Sequence, residues 1–212
     1  MIKAVLFDFD DTLVDTVNSK IPAIVEYCRA VHGASVTPDD VRALWGTPFQ
    51  EKMRILTKSE EIDTSRYLAI SERFPLLPFP ESEPVLSALR SRVTIGIVTS
   101  LSRPVLVHSL GALGWSPSWF TTLVAEGEAP ANKPDPRVFE PALSALPGIQ
   151  RNEVLYVGDA VGDGQAAINA GLRFMGVGRD PRRQSNFREA GYQYQPSLTE
   201  IARLVRPREL QP

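Results

Sequence analysis

The 212-residue chain has little of the two residue types that build most zinc and redox sites. It has a single cysteine, Cys28, which excludes an intrachain disulfide and argues against a zinc site built on thiolates. Its two histidines, His32 and His108, lie far apart in the sequence and exclude a site built from several histidines. If the chain binds a metal, carboxylates must hold it, and carboxylate oxygens favour Mg²⁺ or a similar hard cation.

The chain also lacks an excess of charge of either sign and any long hydrophobic run. Its 23 basic and 25 acidic side chains give a net charge of −2, which provides no overall field to attract nucleic acid or an anionic membrane. No apolar stretch approaches the roughly 18–20 residues that a membrane helix needs, and the N-terminus does not resemble a signal peptide. We therefore expect a cytoplasmic protein with neither nucleic acid nor a membrane as its partner.

Continuous apolar runs alternate with helical patterns over most of the chain. The runs, which are typical of strands in a parallel sheet covered on both faces, lie at 4–10, 93–99, 121–125, 153–158 and 173–177. Apolar residues at helical spacing lie between and after them, at 84–90, 104–113, 136–146, 164–170 and 198–205. This alternation predicts an α/β fold with a parallel sheet flanked by helices.

One segment interrupts the alternation. From about residue 16 to residue 77 the sequence shows helical periodicity and no convincing strand. A stretch rich in proline follows and indicates a stiff connection; its prolines are Pro75, Pro78, Pro80 and Pro84. We therefore predict a helical insert at 16–80 within an α/β domain formed by residues 1–15 and 81–212.

Polar side chains follow three of the predicted strands at their carboxyl ends, where open α/β sheets bind their ligands. The first strand ends at Asp8 and Asp10, the second at Thr99 and Ser100, and the fourth at Asp159, with Asp163 just beyond. If these strands are neighbours, the side chains converge on one crevice. Carboxylates crowded there would repel one another, and Mg²⁺ would relieve the repulsion and attract an anion such as a phosphate.

A lysine and hydroxyl groups complete this hypothetical phosphate site. Lys133 lies in the sequence Asn132-Lys133-Pro134-Asp135-Pro136, where two prolines fix the backbone near the ammonium. Thr99 or Ser100 can donate a hydroxyl to another phosphate oxygen. Each motif alone has a structural explanation, as an acidic turn, a helix cap or a solvated loop lysine. Their joint presence in this order favours a site for phosphoryl transfer.

Four segments resemble the motifs of the haloacid dehalogenase (HAD) superfamily, in the subgroup with a helical cap that includes phosphoglycolate phosphatases and β-phosphoglucomutases. The segments are Asp8–Asp15, Ile97–Ser100, Lys133–Pro136 and Val157–Asp163. The long interval between the first and second segments is where the cap belongs. The resemblance implies a Rossmann-like parallel sheet flanked by helices, with a small all-helical cap domain inserted after strand 1.

The resemblance also implies a Mg²⁺-dependent phosphatase that acts on a small phosphorylated metabolite. Asp8 would be the nucleophile that forms an aspartyl-phosphate, and Asp10 the general acid and base. Dehalogenases and phosphonate-cleaving members of the superfamily lack an acid at the position of Asp10, so this residue favours phosphoryl transfer to water.

The binding residues that the resemblance implies fall into two groups. Mg²⁺ would be held by Asp8, by the backbone carbonyl of Asp10 and by Asp159, while Asp163 would support the metal's waters or Lys133. The phosphoryl oxygens would be held by Thr99, Ser100 and Lys133.

Two cap residues bear on the choice between phosphatase and sugar phosphomutase. The mutases carry a histidine shortly after the first motif and an arginine in a cap loop, and here Lys20 and Phe49 occupy these positions. We therefore expect a phosphatase, with Lys20 and Phe49 as candidate specificity residues. A sugar phosphomutase and a catalytically silent binding or regulatory protein remain alternatives, and the sequence does not determine the oligomeric state.

Two further features fall outside the expected pattern. Asp11 occupies a position where glycine is commoner in this subgroup. A basic run, Arg179, Arg182 and Arg183, follows the fifth predicted strand, where it is expected to form a solvated loop, with binding of an anionic substrate as the alternative.

Overall fold

The computed structural model describes residues 1–45, 47 and 49–205. The chain divides into two compact units, one formed by Met1–Val14 and the chain from Pro78 onward, the other by Asp15–Leu77. These boundaries lie within a few residues of the predicted 1–15, 16–80 and 81–212. Among the described helices, none is both long and apolar enough to cross a bilayer.

The unit Asp15–Leu77 is helical throughout its described elements, which are α1 (Thr16–His32), α2 (Pro38–Ala43), α3 (Phe49–Thr57) and α4 (Thr64–Ser71). The carboxylate of Asp15 accepts the N–H of Asn18 and so caps the start of α1, and Gly33 follows its end in the left-handed conformation that glycine favours. The four helices enclose a core around Tyr27, whose hydroxyl accepts the N–H of Asp63 at 2.9 Å. The predicted all-helical insert after the first strand is therefore confirmed.

The other unit is built on a parallel sheet. Its strands are β1 (Ala4–Phe7), β2 (Thr94–Val98), β3 (Thr122–Val124), β4 (Val154–Gly158), β5 (Arg173–Val177) and β6 (Tyr194–Gln195). They form a six-stranded sheet in the order β3-β2-β1-β4-β5-β6. Phe7 pairs with Ile97 of β2 on one side and Val157 of β4 on the other. The residues that follow these three strands therefore lie side by side at one edge, and the predicted α/β fold is confirmed.

The helices of this unit are α5 (Ser82–Arg90), α6 (Arg103–Ala112), α7 (Glu140–Ser144), α8 (Val161–Asn169), α9 (Pro181–Glu189) and α10 (Leu198–Leu204). Apolar side chains of β1 and β4, such as Leu6 and Val154, share a core with Phe139 and Ala167 from the segments outside the sheet. This burial of apolar surface is the main force that fixes the strand ends relative to one another.

Helix α9 differs from the expectation that the basic run lies in a solvated loop. The helix begins at Pro181, and its cap is Asp180, whose carboxylate accepts the N–H of Arg183 at 2.9 Å. Its sequence carries no apolar stripe, and Phe187 is the residue that it buries. The helix is therefore stabilised by its cap and a single apolar anchor, features that hydrophobic periodicity does not detect.

Candidate active site

The first acidic segment begins where β1 ends. The N–H of Asp8 donates to the carbonyl of Val157 at 2.9 Å, so the backbone still follows β4 at this point. The chain then turns sharply, with the N–H of Asp11 donating to the carbonyl of Val14 at 2.7 Å. Asp8 is buried and Asp10 is half-buried within this loop. The turn thus presents both acids at the edge where β1, β2 and β4 end.

Lys133 joins this segment to the one that follows β4. Its ammonium lies 2.8 Å from Oδ1 of Asp8, 2.7 Å from Oδ1 of Asp163 and 3.1 Å from the hydroxyl of Tyr156. An ammonium has three N–H donors, and these three acceptors match them. The side chains are only 12% exposed in Lys133, 9% in Asp8 and 3% in Asp163, so the contacts are shielded from water.

Asp163 occupies its place because Gly158 has no side chain. A Cβ on Gly158 would lie 2.5 Å from the carboxyl carbon of Asp163, which is closer than real contacts allow. The other carboxylate oxygen of Asp163 accepts the N–H of Ala160 at 3.0 Å and so caps the start of α8. One carboxylate therefore fixes both the helix and the ammonium of Lys133.

Three carboxylates of this edge could hold a metal. One oxygen each of Asp8, Asp159 and Asp163 lie within 4.8 Å of one another. The resemblance implies that the backbone carbonyl of Asp10 is a ligand and that Asp163 supports the metal's waters or Lys133. The carboxylate of Asp163 contacts Lys133 and also lies in this cluster, and the assignment of the ligands stays a prediction. All the donors are oxygens, which fits Mg²⁺ rather than a softer ion.

The electrostatics of the site show an excess of negative charge. Burial raises the pKa of Asp8 to about 7; Lys133 opposes this shift, and the charges of Asp163 and Asp10 add to it. Burial, followed by the charges of Asp163 and Asp8, also raises the pKa of Asp159 well above its usual range. Burial lowers the pKa of Lys133, but Asp163 and Asp8 outweigh it and the net shift is upward. The carboxylates therefore need more positive charge than Lys133 supplies.

The segment after β2 carries the expected hydroxyl groups. Thr99 is buried, and its hydroxyl oxygen accepts the N–H of Leu101 at 3.2 Å, which leaves the hydroxyl proton for another acceptor. Ser100 is exposed beside it. Because β2 is the direct neighbour of β1, both residues lie at the same edge of the sheet as Asp8.

Sequence reasoning missed Tyr156 as part of the site. The residue lies inside β4, and its hydroxyl donates to the carbonyl of Val98 at 2.9 Å while it accepts from Lys133. The available signal was a hydroxyl-bearing side chain within the apolar run Val-Leu-Tyr-Val, because a buried tyrosine needs a polar partner.

Two arginines of the basic run are also placed differently from the expected solvated loop, which is wrong for both. Arg179 donates to the carboxylate of Glu81 at 2.5 Å and to the carbonyl of Thr12 at 3.0 Å. Arg183 donates to Asp159 and Asp11, each at 3.0 Å. Arg182 is exposed, as expected.

The two candidate specificity residues lie in the helical unit. The ammonium of Lys20 donates to the hydroxyl of Ser71 at 2.8 Å and to the carbonyl of Phe74 at 3.1 Å. The ring of Phe49 packs against that of Tyr67, with centroids 4.6 Å apart. Both side chains contribute to the packing of this unit, and their role in specificity stays a prediction.

Comparison with known proteins identifies a family and several similar chains. The model of the haloacid dehalogenase-like hydrolase family matches residues 5–177. The chain is 30% identical over 186 residues to pyrophosphatase PpaX of Bacillus velezensis, with 83% of each chain covered. It is 27% identical over 192 residues to phosphoglycolate phosphatase of Yersinia pestis, covering 83% of this chain and 81% of that one. The structure of CbbY from Rhodobacter sphaeroides in complex with phosphate shares the fold, with a TM-score of 0.75, 22% identity and coverage of 95% and 96%.

Proposed function

Because the chain belongs to the haloacid dehalogenase-like hydrolase family, we propose that it is a Mg²⁺-dependent phosphatase that hydrolyses a small phosphorylated metabolite through an aspartyl-phosphate on Asp8. Hydrolysis of phosphate esters follows from the relatives, which are named as a pyrophosphatase and a phosphoglycolate phosphatase. The observation that carries the mechanism is the bridge of Lys133 between Asp8 and Asp163, with Asp159 in the same cluster. Location in the cytoplasm stays a prediction from the sequence.

The metal would be held by Asp8, Asp159 and Asp163 or by a subset of them with waters. Their oxygens form a compact set in which Asp8 and Asp163 are buried and Asp159 is half-buried, and the upward pKa shifts of Asp8 and Asp159 indicate that a cation would be bound favourably. When bound, Mg²⁺ would neutralise the carboxylates and withdraw charge from the phosphoryl oxygens. The pyrophosphatase and phosphoglycolate phosphatase relatives are consistent with a small phosphorylated substrate.

Two acids would divide the chemical work. An oxygen of Asp8 forms the bond to phosphorus as the bond from phosphorus to the leaving oxygen breaks, and Asp10 donates a proton to that oxygen. Asp10 then takes a proton from the water that attacks the phosphorus of the aspartyl-phosphate, which releases inorganic phosphate and restores Asp8. Acid–base assistance of this kind is worth about 10²–10⁴-fold in rate.

Thr99 would hold the phosphoryl group during these steps, and Lys133 would act on it through its charge. Lys133 keeps Asp8 in one orientation through Oδ1, and its charge would stabilise negative charge that builds up on the phosphoryl oxygens. Thr99 would donate its hydroxyl proton to one of those oxygens, since its oxygen already accepts the N–H of Leu101. Ser100 would do the same from the exposed side.

The test is release of inorganic phosphate from a panel of phosphorylated metabolites that includes pyrophosphate and phosphoglycolate. Each compound is assayed with Mg²⁺ and again with a chelator, using the native chain and the variants Asp8→Asn and Asp39→Asn. Asp39 is the matched control, because its side chain is 90% exposed on α2. We expect Mg²⁺-dependent release that Asp8→Asn lowers by orders of magnitude and Asp39→Asn leaves unchanged.

Mass spectrometry of the native chain quenched in acid tests the intermediate. A chain that gains the mass of one phosphoryl group during turnover, and does not gain it with Asp8→Asn, supports covalent catalysis. Transfer of phosphate between positions of a sugar with little release would favour the phosphomutase alternative. Binding of a phosphorylated compound without turnover would favour a silent binding protein.

A further inference from the structure

A second cationic centre lies beside the carboxylate cluster, in the first turn of α9. Arg183 donates through three different nitrogens to three acids. Nε lies 3.0 Å from Oδ2 of Asp159, Nη2 lies 3.0 Å from Oδ2 of Asp11, and Nη1 lies 2.6 Å from Oδ2 of Asp180. The guanidinium therefore connects the segments that follow β1, β4 and β5.

Asp11 is placed for this contact at some cost to its backbone. Its φ is 54°, in the left-handed region where residues other than glycine are uncommon. Its side chain is only 4% exposed, and the carboxylate accepts from Arg183. A strained residue of this kind persists where its surroundings hold it in place, and such residues cluster at functional sites. The acid at a position where glycine is commoner thus has a defined partner.

Arg183 engages only one oxygen of Asp159, which leaves Oδ1 for coordination of a cation. Partners of this type orient a ligand before the metal arrives, and their loss typically weakens metal binding about 10–100-fold. An arginine beside a ligand also repels a dication, so its charge has to be balanced. Asp11 and Asp180 accept from the same guanidinium and supply that balance.

We propose that Arg183 is a positioning residue that orients Asp159 for Mg²⁺, and that Asp11 is the counter-charge that allows it to do so. The proposal rests on the metal role that the proposed function gives to Asp159. It assigns a role to Asp11 and Arg183 that neither the four motifs nor the carboxylate cluster requires.

The decisive measurement is the dissociation constant of Mg²⁺, obtained by titration calorimetry on the full chain without substrate. The test variant combines Arg183→Gln with Asp11→Asn, so that the net charge near the site is unchanged and only the positioning is lost. The control combines Arg182→Gln with Glu189→Gln, the same pair of charge changes at two exposed positions of α9. We expect the dissociation constant to rise about 10-fold or more in the test variant and to stay unchanged in the control.

If the native chain binds Mg²⁺, two results for the test variant would overturn the proposal. An unchanged dissociation constant with a lower melting temperature would show that Arg183 only braces the fold. A tighter dissociation constant would show that Arg183 competes with the metal for Asp159. In both cases the proposed phosphatase function would stand. Absence of Mg²⁺ binding in the native chain would instead overturn the metal role of Asp159 together with this proposal.

A single variant covers the case in which the double variant does not fold. Asp11→Asn keeps Arg183 and the size of the side chain but removes the counter-charge. We expect the dissociation constant of Mg²⁺ to rise several-fold, because more of the arginine's charge then acts on Asp159. An unchanged value in the folded variant would refute the role given to Asp11.

Discussion

Replacement of Lys133 by methionine tests whether the buried charges of the site are balanced as the structure indicates. The variant keeps most of the side-chain volume and removes the ammonium that lies 2.8 Å from Asp8 and 2.7 Å from Asp163. Asp8 and Asp163 then face each other without a cation, in a region where the lysine was 12% exposed. We therefore expect the metal-free variant to lose much more stability than an exposed ion pair contributes.

The size of the loss follows from the geometry. At an effective dielectric constant of about 20, each ion pair at this distance is worth roughly 6 kcal/mol of Coulomb energy, before the cost of removing the charges from water. Removal of one partner of a buried pair typically costs about 3–5 kcal/mol, because the remaining charge stays buried. For a chain of this length that loss corresponds to a drop in melting temperature of roughly 6–20 °C.

The pH dependence of this loss is specific to Asp8. Burial has already raised its pKa to about 7 in the presence of Lys133, so without the lysine its pKa rises further. Between pH 7 and the higher pKa that Asp8 has in the variant, folding of the variant requires Asp8 either to bind a proton or to be buried as an unpaired carboxylate. In the native chain Asp8 is ionised over this range and is paired with Lys133. The difference in the free energy of unfolding should therefore increase from pH 7 to pH 9.

Thermal unfolding in the presence of a chelator measures these effects. Lys3→Met is the matched control, because Lys3 also forms a 2.8 Å ion pair, with Glu153, but is 40% exposed. That pair should contribute only about 0.2–1 kcal/mol. Adding Asp163→Asn to Lys133→Met should restore part of the stability, since it removes one unpaired charge and keeps the oxygen that caps α8. Two outcomes would contradict the balance of charge between Lys133, Asp8 and Asp163. The first is a loss of stability in Lys133→Met no larger than that in Lys3→Met. The second is a further loss of stability when Asp163→Asn is added to Lys133→Met.

Two further predictions concern the same site. Gly158→Ala should lower the free energy of unfolding by about 1–3 kcal/mol, because its Cβ would lie 2.5 Å from the carboxyl carbon of Asp163. Gly111→Ala in α6, where no atom apart from the adjoining residues and the helix's own backbone lies within 4 Å of the added Cβ, should instead stabilise the chain by up to about 1 kcal/mol. Equal effects of the two changes on thermal unfolding would contradict the close packing of Gly158 against Asp163. The raised pKa of Asp8, about 7 against an ordinary 3.8, means that the folded metal-free chain holds this proton more tightly than the unfolded chain. The contribution of Asp8 to the free energy of unfolding should therefore be fully present below about pH 4, fall as the pH rises to about 7 and then level off. Asp8→Asn should lack this fall in stability between about pH 4 and pH 7. An identical pH profile for both chains would exclude the raised pKa of Asp8.

The strands and the edge that they share could be predicted because their signals are local. Each strand is a short apolar run, and the polar residues at positions such as Asp8, Thr99 and Asp159 follow directly in the sequence. Parallel strands place their carboxyl ends at one edge, so the general position of the site follows once the strands are neighbours. Helix α9 could not be predicted in this way, because its stability depends on a cap and one buried phenylalanine.

The contacts within the site required the structure. Lys133 and Asp8 are separated by 125 positions, and Arg183 and Asp11 by 172, and a single sequence contains no local pattern that pairs them. The departure at Asp11 was nevertheless a usable signal. A buried acid at a position suited to glycine requires a cation as its partner, and the basic run after the fifth strand contained arginines to which no partner had been assigned.

The two pairings together explain how so many acids can share one edge before a metal arrives. Lys133 holds one oxygen of Asp8 and one of Asp163, and Arg183 holds one oxygen of Asp159. Each carboxylate of the cluster is thus fixed by a buried or half-buried cation through one oxygen. Metal binding then need not order the ligands, since their rotamer entropy has already been lost on folding. Because the two cations hold ligands of one cluster, the effects of Lys133→Met and of the Arg183 double variant on the free energy of Mg²⁺ binding should be coupled, and strictly additive effects in titration calorimetry would contradict this arrangement.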